Sequence, residues 1–295
     1  MSRNEWLTER FEASRGHLRA VAYRILGSLG EADDAVQESW LRVSRADPGG
    51  VENLEGWFTT VVARVCLNIL RSRRSRREES LEMEGTKPRS VVHAKGIDPE
   101  DEAVLAESVG LALLVVLERL APAERVAFVL HDVFDVAFED IAAIVGRSPA
   151  AARQLASRAR RHVRGANRGS VAALSRQRET VEAFLAALRA GDMKGLLIVL
   201  DPHVVRRADR FAVPLDEARE LHGARRVAEE VLKYRDIAQF ARPIQVNGSG
   251  GIAVAPNGHL RTVISCIVER QRITKMEVIA DPKRLRKLNL VVFPE

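Results

Sequence analysis

Thr60, Arg64, Asn68 and Arg71 follow one another at intervals of four, four and three residues, which lines their side chains along one stripe of a helix. Arginine binds a phosphate oxygen and a carboxamide bonds the edge of an unstacked base, so this stripe has the chemistry to hold a nucleic-acid strand. It continues into "NILRSRRSRREES", Asn68 to Ser80, where five arginines fall between Arg71 and Arg77 before Glu78 and Glu79 reverse the sign. The bland alternative for those later arginines is a fraying basic helix end favoured by the helix dipole. A second polar set, Arg153, Gln154, Ser157, Arg158 and Arg161, again recurs at helical spacing. It fits a major groove, or it is the solvated face of an ordinary helical pair. A third set, Asp33, Asp34, Gln37 and Glu38, would steer a basic partner surface, or would simply be wet.

These sets bind; none has the pattern of catalysis. The chain has no G-x-S-x-G, no H-E-x-x-H and no glycine-rich nucleotide loop, so no catalytic residue, metal or cofactor is expected. His203, Asp209, His222 and His259 are the acids and bases available in the C-terminal part, and nothing in their spacing brings them together.

Bulk charge points the wrong way. The chain of 295 residues has a formal net charge of +6, yet Met1 to Arg168 holds 25 basic and 25 acidic residues. The surplus lies in the remainder, with 21 basic against 15 acidic, so clustering rather than net charge carries any argument for DNA. Hydrophobic residues make up 46% and aromatics only 5%, which suits helix-rich domains with aliphatic cores. No apolar run is long enough for a membrane span and the N-terminus lacks an apolar signal core. Cys66 and Cys266 sit far apart in apolar contexts, as buried thiols of a cytoplasmic protein would.

The elements that must position these residues follow from periodicity. Helices are predicted over Phe11–Leu26, around Ala32–Trp40 and from Asn53 onward. Gly27 and Gly30 break the first, and the third carries Leu54, Phe58, Val61, Val65 and Ile69 on its apolar face. Glu78 to Asp98 reads as a linker, and Asp98 with Pro99 opens a further helix. Phe138 to Val163 has helix-turn-helix logic, with Ile141, Ala142 and Val145 inward, Gly146 at the turn, and Ala152 and Leu155 packing the second helix back. After a short connection, Ala166–Val171, the pattern becomes α+β. Helices are predicted at Ala172–Ala190, Met193–Leu200 and Ala224–Gln239. Strands are predicted at His203–Ala208, Pro243–Val246, Ile252–Ala255, Leu260–Val268 and Ile273–Ile279, with "PNGH" as a tight hairpin turn.

The order of these parts resembles the extracytoplasmic-function (ECF) sigma factors of the sigma-70 superfamily. "AYRILGSLGEADDAVQESWLRV" is similar to the polymerase-binding part of sigma domain 2. "GWFTTVVARVCLNILRSRRSRRE" resembles the helix that recognises and opens the minus-10 element. "LERLAPAERVAFVLHDVFDVAFEDIAAIVGRSPAAARQLASRARRHV" is similar to domain 4, which reads the minus-35 element. The C-terminal part resembles a SnoaL-like cone, as in the SigJ-type subgroup, where the extension is held to regulate the sigma in cis. Three departures from that subgroup stand out. The linker reads "LEMEGTKPRS" where a Trp-Leu-Pro motif is usual, leaving Pro88. Asp209 is followed by "RFAVP" rather than by glycines and a lysine. The terminal motif has become "DPKRL", Asp281 to Leu285.

The resemblance implies two all-α sigma domains followed by an α+β SnoaL-like domain. Residues 1–78 are domain 2, 79–98 a linker, 99–167 domain 4 and 172–288 the regulatory domain. It implies core RNA polymerase, through its β′ clamp helices, as the partner of Asp33, Asp34, Gln37 and Glu38. Promoter DNA is the partner of Thr60, Arg64, Asn68 and Arg71 at minus-10 and of Arg153, Gln154, Ser157, Arg158 and Arg161 at minus-35. Asp209, Asp281 and Pro282 are the regulatory-domain candidates, and the cone is a place for a small-molecule ligand. The rival reading is a SnoaL-like ligand-binding or enzymatic domain fused to a helix-turn-helix regulator.

Overall fold

The computed structural model describes residues 3–46, 49–83, 111–164, 171–214 and 218–293. They divide into two compact units, Met1–Gly85 with Leu120–Arg161, and Thr86–Arg119 with His162–Glu295. The linker beyond Met83, including Pro88, the Asp98 cap with Pro99, and residues 166–170 of the second connection lie outside the described residues.

The first unit is helical. α1 (Arg3–Leu26) stops at Gly27, whose φ of +79° is a left-handed cap that needs no Cβ. Gly30, expected to break the helix as well, instead lies within the first turn of α2 (Leu29–Val43), which Ser28 caps. Ala32, Ala35 and Val36 are buried as the spacing predicts, and Phe11 packs against Trp40 and Phe58 with ring centroids 5.1 and 5.2 Å away.

α3 (Leu54–Met83) is buried more widely than the sequence suggested. Phe58 and Val65 are in the core as expected, but so are Val62, Ala63, Cys66, Leu67 and Leu70. The cause is a second set of neighbours. α3 packs on α1 and α2 and also on two later helices, which we label α5 (Pro122–Phe128) and α6 (Phe138–Val145). A helix held between partners has no wide wet face, so a one-stripe reading undercounts its core. Burial pushes the Cys66 thiol up to about 12, which leaves it an inert packing group.

α5 continues into a π-helical stretch, Val129–Val133. Gly146 ends α6 at φ +71° with its N–H on Ala142 O, as the turn requires. Ser148 then caps α7 (Pro149–Arg164), its Oγ 3.3 Å from the Ala151 N–H.

In the second unit, α8 (Val171–Ala190), α9 (Met193–Val199) and α10 (Ala224–Leu232) pack on a seven-stranded sheet of order β2-β1-β6-β5-β4-β3-β7. The strands are β1 (Leu200–Ala208), β2 (Glu220–His222), β3 (Ala241–Val246), β4 (Ser249–Val254), β5 (Thr262–Glu269), β6 (Arg272–Ile279) and β7 (Leu290–Val291). β1 and β6 are parallel; the other neighbours are antiparallel. The interior between helices and sheet holds a core that includes Phe184, Leu196, Val227, Ile252, Cys266 and Met276. The unit also contains α4 (Leu111–Leu117) and the short α11 (Pro282–Leu285).

Three expectations are corrected here. Residues Pro256–Gly258 form a 3-10 turn in a longer β4–β5 connection, not a tight hairpin. The tight turns are Asn247-Gly248, with φ of 53° and 87°, and Arg270-Gln271, with φ of 48° and 61°. Both central residues of each turn are left-handed, the arrangement that matches strand twist. The predicted helix over Ala224–Gln239 also breaks, with a 3-10 stretch at Arg235–Phe240. β2 and β7 went unforeseen because three and two residues are too few for periodicity to register. Among the described residues, no helix is long and apolar enough to cross a membrane.

Candidate nucleic-acid interface

α3 places Thr60, Arg64, Asn68 and Arg71 along the one stripe its packing leaves open. Arg64, Asn68 and Arg71 are exposed and Thr60 is half-buried. The Thr60 hydroxyl donates to Gly56 O at 2.9 Å, so it braces the first turn of the helix. Arg64 Nη2 donates to Ala143 O of α6 at 3.3 Å. Asn53 Oδ1 accepts the Gly56 N–H at 2.9 Å and so caps the stripe's N-terminal end. Trp57, half-buried and seven residues before Arg64, extends the stripe with an aromatic ring. Its spacing was visible in the sequence, and it adds a stacking surface beside the arginines.

The arginine run after Asn68 does not act as one group. Arg73 turns back into the fold, with Nη1 on Leu26 O at 3.2 Å and an ion pair to Glu31. It ties the end of α1 and the start of α2 to α3. Arg71, Arg74 and Arg76 remain exposed. The side chain of Arg77 lies outside the described residues.

α7 presents a second face. Ala152, Ala156 and Ala159 are buried, and small residues there let the helix sit close to its partners. Leu155 is half-buried. Arg153, Gln154, Ser157, Arg158 and Arg161 are all exposed on the opposite side. Their surroundings differ. Arg153 lies 3.3 Å from Glu139 and over the Phe138 ring at 5.4 Å. Arg158 pairs with Glu124 at 3.2 Å. Arg160, not among the expected set, pairs with Asp132 at 2.5 Å. The flanking arginines are thus steered by acids from α5, α6 and the π-helical stretch. Sequence spacing could not reveal this, because those acids lie 14, 28 and 34 residues away.

On α2, Asp33, Asp34, Gln37 and Glu38 are all exposed on one face. Asp33 accepts from Arg19 at 2.6 and 3.1 Å, and Glu38 accepts from Arg42 at 3.0 Å.

In the second unit the candidate acids and bases differ in their surroundings. Asp209 is a backbone clasp. Its carboxylate accepts N–H groups from Phe211, Ala280 and Asp281, each at 3.0 Å. Asp281 caps α11 by accepting the Lys283 N–H at 2.8 Å, with Pro282 at the first helical position. His203 is exposed, His222 pairs with Glu220 at 3.0 Å, and His259 faces Glu118 at 3.3 Å. Among the described residues no cluster of His, Cys, Asp and Glu could hold a metal.

Comparison with known proteins gives a consistent picture. The model of sigma-70 region 2 matches residues 10–76, and that of sigma-70 region 4 matches residues 110–163. The probable ECF RNA polymerase sigma factor SigI of Mycobacterium tuberculosis is 34% identical over 98% of both chains. ECF RNA polymerase sigma factor SigJ of the same organism is 41% identical over 75% of this chain and 71% of its own. The crystal structure of M. tuberculosis SigJ aligns over 94% of this chain and 97% of that one, at 32% identity with a TM-score of 0.46.

Proposed function

This chain belongs to the extracytoplasmic-function sigma factors of RNA polymerase, and from that premise we propose how its residues divide the work. Asp33, Asp34, Gln37 and Glu38 dock on the β′ clamp helices of core polymerase. An acidic face of this kind steers a basic partner and fixes its register. Arg64, Asn68 and Arg71, with Trp57 beside them, hold the opened strand of the minus-10 element. Gln154, Ser157 and Arg161 enter the major groove at minus-35, and Arg153 and Arg158, held by Glu139 and Glu124, reach the flanking phosphates.

The observation that carries the reading is the pair of exposed polar stripes, on α3 and α7, each backed by a largely buried apolar side. A plain duplex-binding regulator has use for the second stripe only. In this reading the protein acts in the cytoplasm, the polymerase supplies the chemistry and this chain supplies no catalytic group. The C-terminal domain modulates the sigma regions in cis. Its core includes Phe184, Leu196, Ile252, Cys266 and Met276, and a small-molecule ligand would bind against those side chains. A thermal-shift screen with apolar molecules measures whether any does.

Run-off transcription with purified core polymerase tests the proposal. Specific transcripts that depend on the added chain are expected. Duplex binding without transcripts would favour the helix-turn-helix regulator. Chains lacking residues 172–295 should give altered output; identical output would remove the C-terminal domain from the account.

A further inference from the structure

Two departures in the C-terminal sequence meet in the fold. One is Arg210–Pro214, which follows Asp209 where glycines and a lysine are usual; the other is the altered terminal motif, Asp281–Leu285. The Asp209 carboxylate joins them, since its Oδ2 accepts the N–H groups of Ala280 and Asp281, each at 3.0 Å. The Asp209 N–H donates to Val278 O at 3.0 Å, which fixes the turn after β1 beside the end of β6. Arg210 is thereby held near α11.

Four of the five residues from Lys283 to Lys287 are basic. Leu285 between them is buried, while Lys283, Arg284, Arg286 and Lys287 are exposed. Arg284 is engaged, 2.5 Å from Glu277 and 3.7 Å from Asp209. Lys283, Arg286, Lys287 and Arg210 have no ion pair among the described residues; Arg210 lies over the ring of its neighbour Phe211, 4.7 Å away. The acids beside them are already occupied. Asp209 holds backbone, Asp281 accepts the Lys283 N–H at 2.8 Å, and Glu277 holds Arg284.

Bases near a helix end are commonly there to satisfy its last carbonyls. Here another residue does that. Arg119 donates to Leu285 O at 2.9 Å and to Arg286 O at 2.7 Å. Four unpaired cations therefore stand together with no task inside the domain, and like charges so placed repel until an anion meets them.

We infer, resting on the sigma-factor reading, that Arg210, Lys283, Arg286 and Lys287 form a second DNA-contacting surface, which holds duplex phosphates without reading sequence. Residues 282–287 extend over roughly 8 Å at helical rise, enough to face several phosphates, which lie about 1.7 Å apart along the duplex axis. A membrane surface fits less well, because it calls for exposed apolar side chains beside the bases. Leu285 is buried, and Phe211 and Leu288 are half-buried.

The test measures binding of the free full-length chain to a labelled duplex that lacks promoter elements, across a salt titration. Arg286→Gln with Lys287→Gln should reduce the salt slope by about two units. The control, Arg270→Gln with Arg272→Gln, removes the same charge from the opposite end of β6, roughly 25 Å away along the strand. Its slope should match wild type. All four side chains are exposed, so urea unfolding of both variants should also match wild type. A wild-type chain that does not bind the duplex at low salt overturns the inference. An unchanged slope in the first pair does so too, and so does an equal fall in both, which would mean net charge rather than this surface acts. If the first pair instead loses affinity for core polymerase with its DNA slope intact, the surface belongs to an acidic protein partner and the inference is again overturned. Run-off transcription by wild type judges the sigma-factor reading separately from these slopes.

Discussion

The two units differ in how their polar side chains are arranged. In the first, Asn68, Arg71, Gln154, Ser157 and Arg161 stand exposed on stripes whose reverse sides are packed with alanine and aliphatic residues. In the second, Arg225, Arg226, Arg270 and Arg272 are exposed as well, but three charges are turned onto the chain's own backbone. Arg189 donates to Ala238 O and Ala241 O at 3.0 and 2.6 Å, Arg119 does the same at α11, and Asp209 gathers three N–H groups. A charge withdrawn from water needs fixed partners, and loops and helix ends supply them. A charge left in water is available to another molecule. The basic surplus of the C-terminal part is thus partly spent on its own backbone and partly exposed, while the electrically balanced N-terminal part lines its exposed polar residues along two helical stripes.

This contrast can be broken by four substitutions. The largest effect is expected at Asp209, whose side chain is 10% exposed. Asp209→Ala should cost about 3 kcal/mol in urea unfolding, since three backbone donors lose an ionised acceptor. A loss below about 1 kcal/mol would mean the clasp is not structural. Arg73→Ala should come next, at about 2 kcal/mol, because it strips Glu31 and the end of α1 of a partner. It should leave the salt dependence of DNA binding unchanged, and a changed slope would move Arg73 onto the interface.

Arg161→Ala should do the reverse. Its unfolding curve should match wild type, while affinity for minus-35 duplex falls about tenfold. The smallest effect belongs to Arg71→Ala, a reduction of about one unit in the salt slope for binding to opened promoter DNA, with stability held. If Arg71→Ala and Arg73→Ala behaved alike, the two would not be separate classes of arginine, and the line drawn between structural and binding charge in this run would be wrong.

The candidate stripes were readable because they depend on local geometry. Four residues at helical spacing share a face whatever surrounds the helix, and Thr60 to Arg71 and Arg153 to Arg161 obeyed that rule. The stop at Gly27 and the turn at Gly146 were readable for the same reason, since both need a left-handed backbone. The hairpin signal was misplaced between two Asn-Gly pairs. Asn257-Gly258 lies in a 3-10 turn, and Asn247-Gly248 makes the tight turn because β3 and β4 pair up to its edge, Val246 opposite Ser249.

The sequence alone determined the order of parts, the helical stripes and the change to an α+β pattern after residue 171, because each rests on spacing within one element. Only the tertiary structure decided which charges are left for partners. Arg71 and Arg73 differ by two positions in one helix, yet one faces water and the other meets Leu26 and Glu31. Likewise, nothing local says that Glu118 would find Leu260, 142 residues away. Hydrogen bonds over such separations form where the fold brings strands and helix ends together, and that arrangement is not encoded in the periodicity of any single segment.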